Sequence, residues 1–283
     1  MAVSIKQARD FVYSHGVLWE RALFAYLFQD GSIERLHQCL ACYRNPDGGF
    51  GHALEHDIRT PDSHPLALEF ILSVFAQHDL RLGDLFDAAA QWVEAQQRED
   101  GSLHNPASVL EYPHAPWWDV DENNPTMSGG QSAPDSITGL LQRFSKSTPG
   151  LLQATQAWVK QNLTLEAIKA NEWVFMAYHA YDYFMNVDDF PNVSADRQAT
   201  IDNIVEGIQK MPEKQSYHLF RFAPTPDSAV AQALPENVLS RILDYLAATQ
   251  QDDGSWHDEH GLAHWCPLTT INVLHGLQNY GRL

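Results

Sequence analysis

Basic residues are scarce in this chain of 283 residues. Its 18 Lys and Arg face 36 Asp and Glu, which gives a formal net charge of −18. No basic run is longer than a pair. Because such a charge repels nucleic acids and anionic membrane surfaces, we expect neither as a partner.

Cysteine and long apolar runs are also scarce. The three cysteines, two of them spaced Cys39-x-x-Cys42, are too few for a disulfide framework in a chain of this length. No charge-free apolar stretch reaches the roughly 18 to 20 residues of a membrane-spanning helix. Residues 1–10 are polar and of mixed charge, unlike a signal peptide. These features predict a soluble cytoplasmic protein.

A repeated unit is the most informative feature that the chain does contain. An apolar helical segment leads into an acidic-glycine turn, and a proline then opens another apolar segment. The three clear copies are residues 43–50 with Pro65, 96–103 with Pro134 and 250–256 with Pro267. The repeat fits a period of roughly 50 residues, which is typical of arrays or closed rings of helices.

Hydrophobic patterning divides the predicted helices into two kinds. Residues 84–97 and 235–250 have one apolar face, whereas 65–76 and 173–185 are apolar nearly all round, as in helices enclosed by others. We predict an all-α fold with helices near residues 4–14, 16–29, 32–44, 64–79, 84–97, 135–145, 150–161, 165–186, 195–210, 236–250 and 267–280. Long loops remain at 45–63, 98–134, 211–234 and 251–266, and loops of such length are often functional.

The turns resemble the QW-type repeats of terpenoid cyclases and protein prenyltransferase β subunits. The resemblance lies in Trp92-Val93-x-x-Gln96 to Asp100-Gly101-Ser102, and in Tyr245-Leu246-x-x-x-Gln250 to Asp253-Gly254-Ser255-Trp256. Residues 43–55 and His114-Ala115-Pro116-Trp117-Trp118 are similar to a group of bacterial prenyltransferase-like proteins. The resemblance implies a single α,α-toroid domain over residues 1–283, a double ring of inner and outer helices with a central cavity. The superfamily includes both enzymes and non-enzymatic proteins.

The first candidate site is the loop that follows the first turn. His52, Glu55, Asp57 and Arg59 lie within eight positions. Imidazole beside carboxyl groups can form a proton-transfer pair, because each group moves the pKa of the other toward neutrality. We predict His52, Glu55 and Asp57 as acid/base groups and Arg59 as a substrate contact. The alternative is a buried polar network that holds the loop in place.

A second candidate lies at Asp119-Val120-Asp121-Glu122, which resembles the Asp-x-Asp-Asp proton donor of class II terpenoid cyclases. Such a donor needs an aromatic wall that tolerates positive charge, and Trp117 and Trp118 are adjacent. Asp121 is therefore a secondary acid/base candidate, although Glu122 departs from the motif. Solvated loop carboxylates are the alternative. The shortage of basic residues disfavours an enzyme that binds a diphosphate.

Further candidates lie near the carboxyl end and on a central helix. The segment His257 to Cys266 places His260 and His264 four residues apart, but its pattern does not match the zinc ligands of prenyltransferases, so we expect no metal and no other cofactor. Tyr178, on an apolar helix, and Trp256 are predicted to contact substrate.

The function that we predict is a terpenoid-cyclase-like enzyme that applies carboxylate and histidine acid/base chemistry to a small, largely apolar, uncharged molecule. A carbohydrate-active enzyme of the glycosidase or lyase type is one alternative, since those sites pair carboxyl groups with aromatic platforms. A non-catalytic ligand-binding or scaffold protein is the other.

Overall fold

The computed structural model describes residues 3–119 and 131–283, and this part of the chain is mostly helical. The predicted all-α class is confirmed. The α-helices, numbered in chain order, are α1 Ile5–His15, α2 Leu18–Phe28, α3 Ile33–Leu40, α4 Pro65–Gln77, α5 Ala89–Gln96, α6 Asp135–Arg143, α7 Pro149–Asn162, α8 Leu165–Ala170, α9 Tyr178–Phe184, α10 Val193–Lys210, α11 Leu219–Phe222, α12 Ala229–Ala233, α13 Glu236–Ala248 and α14 Cys266–Asn279. Two short antiparallel strands, β1 Leu103–His104 and β2 Gln131–Ser132, pair with each other. Within the described ranges, no helix is both long and apolar enough to span a membrane.

The chain forms two compact units. One contains the segment that ends at Cys39, together with Glu172–Met176 and Ile201–Leu283. We call it the terminal unit. The other, the central unit, contains Leu40–Asn171 and Ala177–Thr200.

The central unit is built around α4, α6 and α9. Helix α4 begins at Pro65, and the side chain of His64 accepts a hydrogen bond from the Ala67 amide at this end. Its residues are buried on nearly every side because α6 packs against it. Helix α6 in turn packs closely on α9. A Cβ atom built on Gly139 would lie 2.0 Å from the carbonyl oxygen of Asp182, so only glycine allows this approach.

The terminal unit joins the two ends of the chain. Helix α1 packs against α14, and α14 also contacts α2 and α13. Gln250 forms two hydrogen bonds with the backbone of Ser4, accepting from its N–H at 2.7 Å and donating to its carbonyl at 3.1 Å. The last of the three repeated turns is thereby held directly to the first helix.

The repeated turns share one hydrogen-bonding pattern. Gly48, Gly101 and Gly254 all have positive φ, at 95°, 82° and 92°, which favours glycine. In each turn the acidic side chain accepts a hydrogen bond from the backbone amide two residues later, at 2.9 to 3.0 Å. The sequence repeat is therefore a structural device, as its spacing predicts.

The glutamine of the second turn is Gln97 and not Gln96. Gln97 donates to the carbonyl of Gly101 at 3.2 Å, just as Gln250 donates to the carbonyl of Gly254 at 3.0 Å. The spacing to the turn glycine agrees with this assignment, since Gln97 and Gln250 each stand four residues before the glycine, whereas Gln96 stands five before it.

Each turn glycine also faces a helix in the same manner. A Cβ atom on Gly48 would lie 2.8 Å from Ala88, at the start of α5, and one on Gly101 would lie 3.0 Å from the Ala154 carbonyl in α7. In both cases the contacted helix is the second α-helix after the turn, because α4 lies between Gly48 and α5 and α6 lies between Gly101 and α7. A Cβ atom on Gly254 would lie 2.2 Å from the carbonyl carbon of Gln7, in α1, the first helix of the chain.

Two predictions of secondary structure were wrong. The expected helix over 165–186 is interrupted: α8 ends at Ala170, and a 3-10 turn over Val174–Ala177 precedes α9. Asn171 caps the end of α8, which fits the tendency of asparagine to terminate helices. The expected loop 211–234 contains α11 and α12, which are too short for a hydrophobic period to reveal.

Candidate functional site

The main concentration of buried ionisable groups lies where α4, α6 and α9 meet in the central unit. Helix α4 contributes Glu69, α6 contributes Asp135 and Ser136 from its first turn, and α9 contributes Tyr178, His179 and Asp182. We call these six residues the carboxylate–imidazole cluster. The spacing of residues 178, 179 and 182 places their side chains within one turn of α9, where they meet the start of α6.

Hydrogen bonds connect the helices within this cluster. His179 Nδ1 lies 2.8 Å from Asp135 Oδ1, and Ser136 Oγ donates to Asp182 Oδ2 at 2.6 Å. Tyr178 OH donates to Glu69 Oε2 at 3.3 Å, linking α9 to α4. The cluster is therefore a network across three helices.

Burial makes the charges of this network strongly interdependent. Glu69 is 6% exposed, and Asp135 and Asp182 are each 1% exposed. Burial raises the pKa of Glu69 to about 7, although the positive charge of His179 opposes the shift. Burial alone would lower the pKa of His179, but the negative charge and hydrogen bond of Asp135 raise it to about 9. At neutral pH the imidazole is protonated and Glu69 is close to its midpoint.

Two atoms of the cluster have unused hydrogen-bonding capacity. Glu69 Oε1 is buried and has no hydrogen-bond partner within the described ranges. His179 uses Nδ1 for its bond to Asp135, and Nε2 has no partner in the same part of the chain. The His179 side chain keeps 20% of its surface exposed, and its ring stacks on Tyr178 with centroids 4.1 Å apart. The cluster thus presents an acceptor and, when His179 is protonated, a donor.

The predicted loop candidates occupy different environments. Glu55 is buried, and its Oε2 accepts a hydrogen bond from the Asp57 amide at 3.0 Å. Burial, followed by the nearby charge of Asp57, raises the pKa of Glu55 well above its usual value. His52 and Arg59 are exposed. His52 also has a positive φ of 57°, and its Nε2 lies 2.9 Å from Asn45 Oδ1.

The structure brings this loop together with the segment that contains the two tryptophans. Arg59 N donates to the Pro113 carbonyl at 3.1 Å, and Ala115 N donates to the Asp57 carbonyl at 2.9 Å. Trp117 is 43% exposed, whereas Trp118 packs against a cluster that includes Ile58. The two candidate segments therefore form one layer.

Helix α4 connects that layer to the carboxylate–imidazole cluster. Leu66 belongs to the hydrophobic cluster beneath Trp118, and the ring of Phe70 meets that of His56 edge-on, with centroids 5.6 Å apart. Leu66, Glu69 and Phe70 lie within one helical turn, on neighbouring positions of the same side of α4. The loop layer consequently packs on the side of α4 that carries Glu69.

The remaining predicted residues fall elsewhere. Asp121 lies outside the described residues. Tyr178 belongs to the carboxylate–imidazole cluster itself. Trp256 belongs to the terminal unit, where it is 3% exposed and its indole N–H donates to the Leu246 carbonyl at 2.8 Å. That hydrogen bond, together with burial, explains Trp256 as a core side chain of the terminal unit.

Glu259, in the histidine-rich segment before α14, forms a second buried pair with His218, which lies just before α11. His218 Nε2 lies 2.8 Å from Glu259 Oε1, and Gln215 donates to the other oxygen of the same carboxylate. Across the residues that the structure describes, no group of three or more His, Cys, Asp or Glu is arranged to hold a metal ion.

No protein-family model, curated protein or solved structure matches this chain.

Glu69, Asp135 and Asp182 were missed as candidates from the sequence. A signal was present for Glu69, which is the only charged residue in the apolar segment Pro65–Gln77. A lone carboxyl group on a helix that is buried all round requires a partner or a shifted pKa.

Proposed function

We propose that the chain is an acid/base enzyme of the terpenoid-cyclase-like α,α-toroid type, acting on a largely apolar, uncharged small molecule. Glu69 is the proton-transfer group, and His179, paired with Asp135, supplies a fixed positive charge beside it. The observation that carries the proposal is the buried Glu69 carboxyl, which has a pKa of about 7 and an unpaired oxygen, within a network that contains a histidine. A general acid or base works best when its pKa lies near the working pH.

The repeated turns support the toroid part of the proposal. Gly48 and Gly101 each pack on the second α-helix after their turn, α5 and α7, and Gly254, which only α14 follows, packs in the same manner on α1. The hydrogen bonds between Gln250 and Ser4 reinforce that last contact. In a closed ring the first helix takes the place of the one that would follow the last repeat, and a contact between Gly254 and α1 is what such a ring predicts.

The loop layer supports an enclosed site for a largely apolar molecule. His52, Glu55, Asp57 and Arg59, with Trp117 and Trp118, are proposed to line the approach to Glu69, because the layer packs on the side of α4 that carries it. Burial of Glu69 and Asp135 favours an uncharged substrate, since burying another charge would add a desolvation cost.

Incorporation of solvent deuterium tests the proposal without a known substrate. The protein is incubated with a metabolite extract in D2O, and mass spectrometry then identifies compounds that gain deuterium or disappear. We expect at least one such compound with the wild-type protein and none with Glu69→Gln. Glutamine keeps the shape of the side chain, but its amide neither donates nor accepts the transferred proton at neutral pH. Glu236→Gln, at an exposed carboxylate in the first turn of α13, is the matched control and should behave as wild type. Equal labelling by wild-type and Glu69→Gln protein refutes the role of Glu69.

A further inference from the structure

We infer that the substrate is a neutral carbonyl compound with a C–H bond next to the carbonyl, that Glu69 removes this proton, and that the Nε2–H of His179 holds the carbonyl oxygen. The inference rests on the proposed function and narrows it to one class of substrate. Nothing in it requires a cofactor.

The two unpaired atoms of the cluster complement such a group. Glu69 Oε1 is an acceptor for a proton, and His179 Nε2 is a donor for an oxygen. Tyr178 connects them, since its hydroxyl bonds Glu69 Oε2 while its ring stacks on His179. In the substrate an α carbon and its carbonyl oxygen are joined through a single carbon, so the inference requires Glu69 Oε1 and His179 Nε2 to face the same end of one molecule.

The fixed partners of His179 prepare it to stabilise negative charge. Asp135, bonded at 2.8 Å and almost fully buried, orients the ring through Nδ1 and leaves Nε2 as the outward donor. The pKa of about 9 keeps the ring protonated at neutral pH, while burial brings the pKa of Glu69 up to about 7, close to neutrality. A base close to neutrality beside a preorganised donor suits removal of a proton next to a carbonyl.

An alkene fits the cluster less well than a carbonyl compound. An alkene offers no acceptor to His179 Nε2 and no acidic proton to Glu69, so both groups would remain unpaired beside it. Leaving a buried polar group unpaired is unfavourable, and more so when the group is charged. A carboxyl with a pKa of about 7 is also a weak acid for protonating a carbon–carbon double bond.

The step is balanced without an oxidant or reductant. The α-C–H bond breaks and its proton moves to Glu69 Oε1. The electron pair forms a carbon–carbon double bond, and the carbonyl π pair moves to oxygen as an enolate that accepts a hydrogen bond from His179 Nε2. Return of a proton from Glu69 to the same carbon regenerates the ketone, and it carries deuterium when the Glu69 proton has first exchanged with D2O.

Proton NMR in D2O provides the test. The probes are 2-octanone and cyclohexanone, with 1-octene as the non-carbonyl control, and the signal is loss of the α-C–H resonance. We expect at least one ketone to exchange at least 100-fold faster with the wild-type protein than with Glu69→Gln, and 1-octene to remain unlabelled. His179→Gln should slow the exchange at least 10-fold while circular dichroism and the unfolding midpoint show that it is folded.

A second measurement tests the same two groups without depending on which ketones are chosen. Octanohydroxamate resembles an enolate with an apolar tail, and calorimetry should show at least 10-fold weaker binding to Glu69→Gln and His179→Gln than to wild type. Ketones that exchange no faster than in buffer, together with equal hydroxamate binding by all three proteins, overturn the inference. If the extract experiment still gives deuterium labelling that depends on Glu69, the carbonyl class alone is wrong. If it gives none, the proposed function fails as well.

Discussion

Substitution of Gly139 by alanine should damage both the central unit and its site. The added Cβ would lie 2.0 Å from the Asp182 carbonyl oxygen, 2.5 Å from its carbon and 2.7 Å from Tyr183 Cα. All three are backbone atoms, so α6 and α9 must separate. Overpacking of this kind costs about 1–3 kcal/mol, whereas alanine itself favours a helix over glycine by about 0.5–1 kcal/mol.

The expected net loss is therefore about 1–2 kcal/mol in the free energy of unfolding, measured by urea denaturation. Gly150→Ala is the matched control, because its Cβ would meet only the carboxyl end of the Glu94 side chain, which can rotate without moving any backbone but then gives up its hydrogen bond from Thr148 Oγ1. The higher helix propensity of alanine and the loss of this exposed hydrogen bond should nearly cancel, so the free energy of unfolding should stay within about 0.5 kcal/mol of wild type. Separation of α6 from α9 should also abolish the deuterium labelling of the extract, because it breaks the hydrogen bond between Asp135 and His179. A Gly139→Ala protein as stable and active as wild type would refute this account of the helix contact.

Three further predictions concern pH, the turns and the core. Glu69 and His179 both have raised pKa values in the folded protein, so each binds its proton more tightly when folded than when unfolded. The free energy of unfolding should therefore fall as the pH rises, from about 4.5 to 7 because of Glu69 and from about 6.5 to 9 because of His179. Urea denaturation of wild type, Glu69→Gln and His179→Gln at a series of pH values measures each contribution. If the free energy of unfolding has the same pH dependence in a variant as in wild type, that residue does not contribute as predicted. Gly254→Ala should lower the free energy of unfolding by more than about 2 kcal/mol, because the added Cβ collides with the α1 backbone. Gly261→Ala also places alanine at a positive φ but meets open space, so it should lower the free energy of unfolding by only about 1 kcal/mol. Equal losses in the two variants would contradict the packing of Gly254 on α1. Trp256→Phe should lower the free energy of unfolding by about 1 kcal/mol, because the hydrogen bond to the Leu246 carbonyl is lost. Deuterium labelling of the extract should be unchanged, and loss of labelling in a folded variant would indicate that Trp256 contacts the substrate.

The sequence predicts the helices and turns well because their causes are local. Asp-Gly turns with φ > 0 at glycine and proline at the start of α4 each depend on a few adjacent residues. The break between Ala170 and Tyr178 was missed because the segment is apolar throughout, and hydrophobic period does not distinguish a continuous helix from two short ones.

The candidate site was only partly predictable for a related reason. Glu55 and Asp57 attract notice because they stand in a dense cluster within one loop, and the structure does place them beside the tryptophan segment. Asp135 and His179 are 44 residues apart and each is unremarkable in its own segment. Only the close contact of α6 and α9, which Gly139 permits, brings them together. Sequence patterns carry no information about such a long-range pairing.

The central claim is that Glu69 is a buried carboxyl poised to exchange a proton near neutral pH. A carbon-13 NMR titration of glutamate-labelled protein measures this directly, with Glu69→Gln identifying the resonance. The account predicts a carboxyl that titrates with a midpoint near pH 7 and is absent from the variant. A Glu69 resonance with a midpoint near the ordinary value of about 4.5 would contradict it.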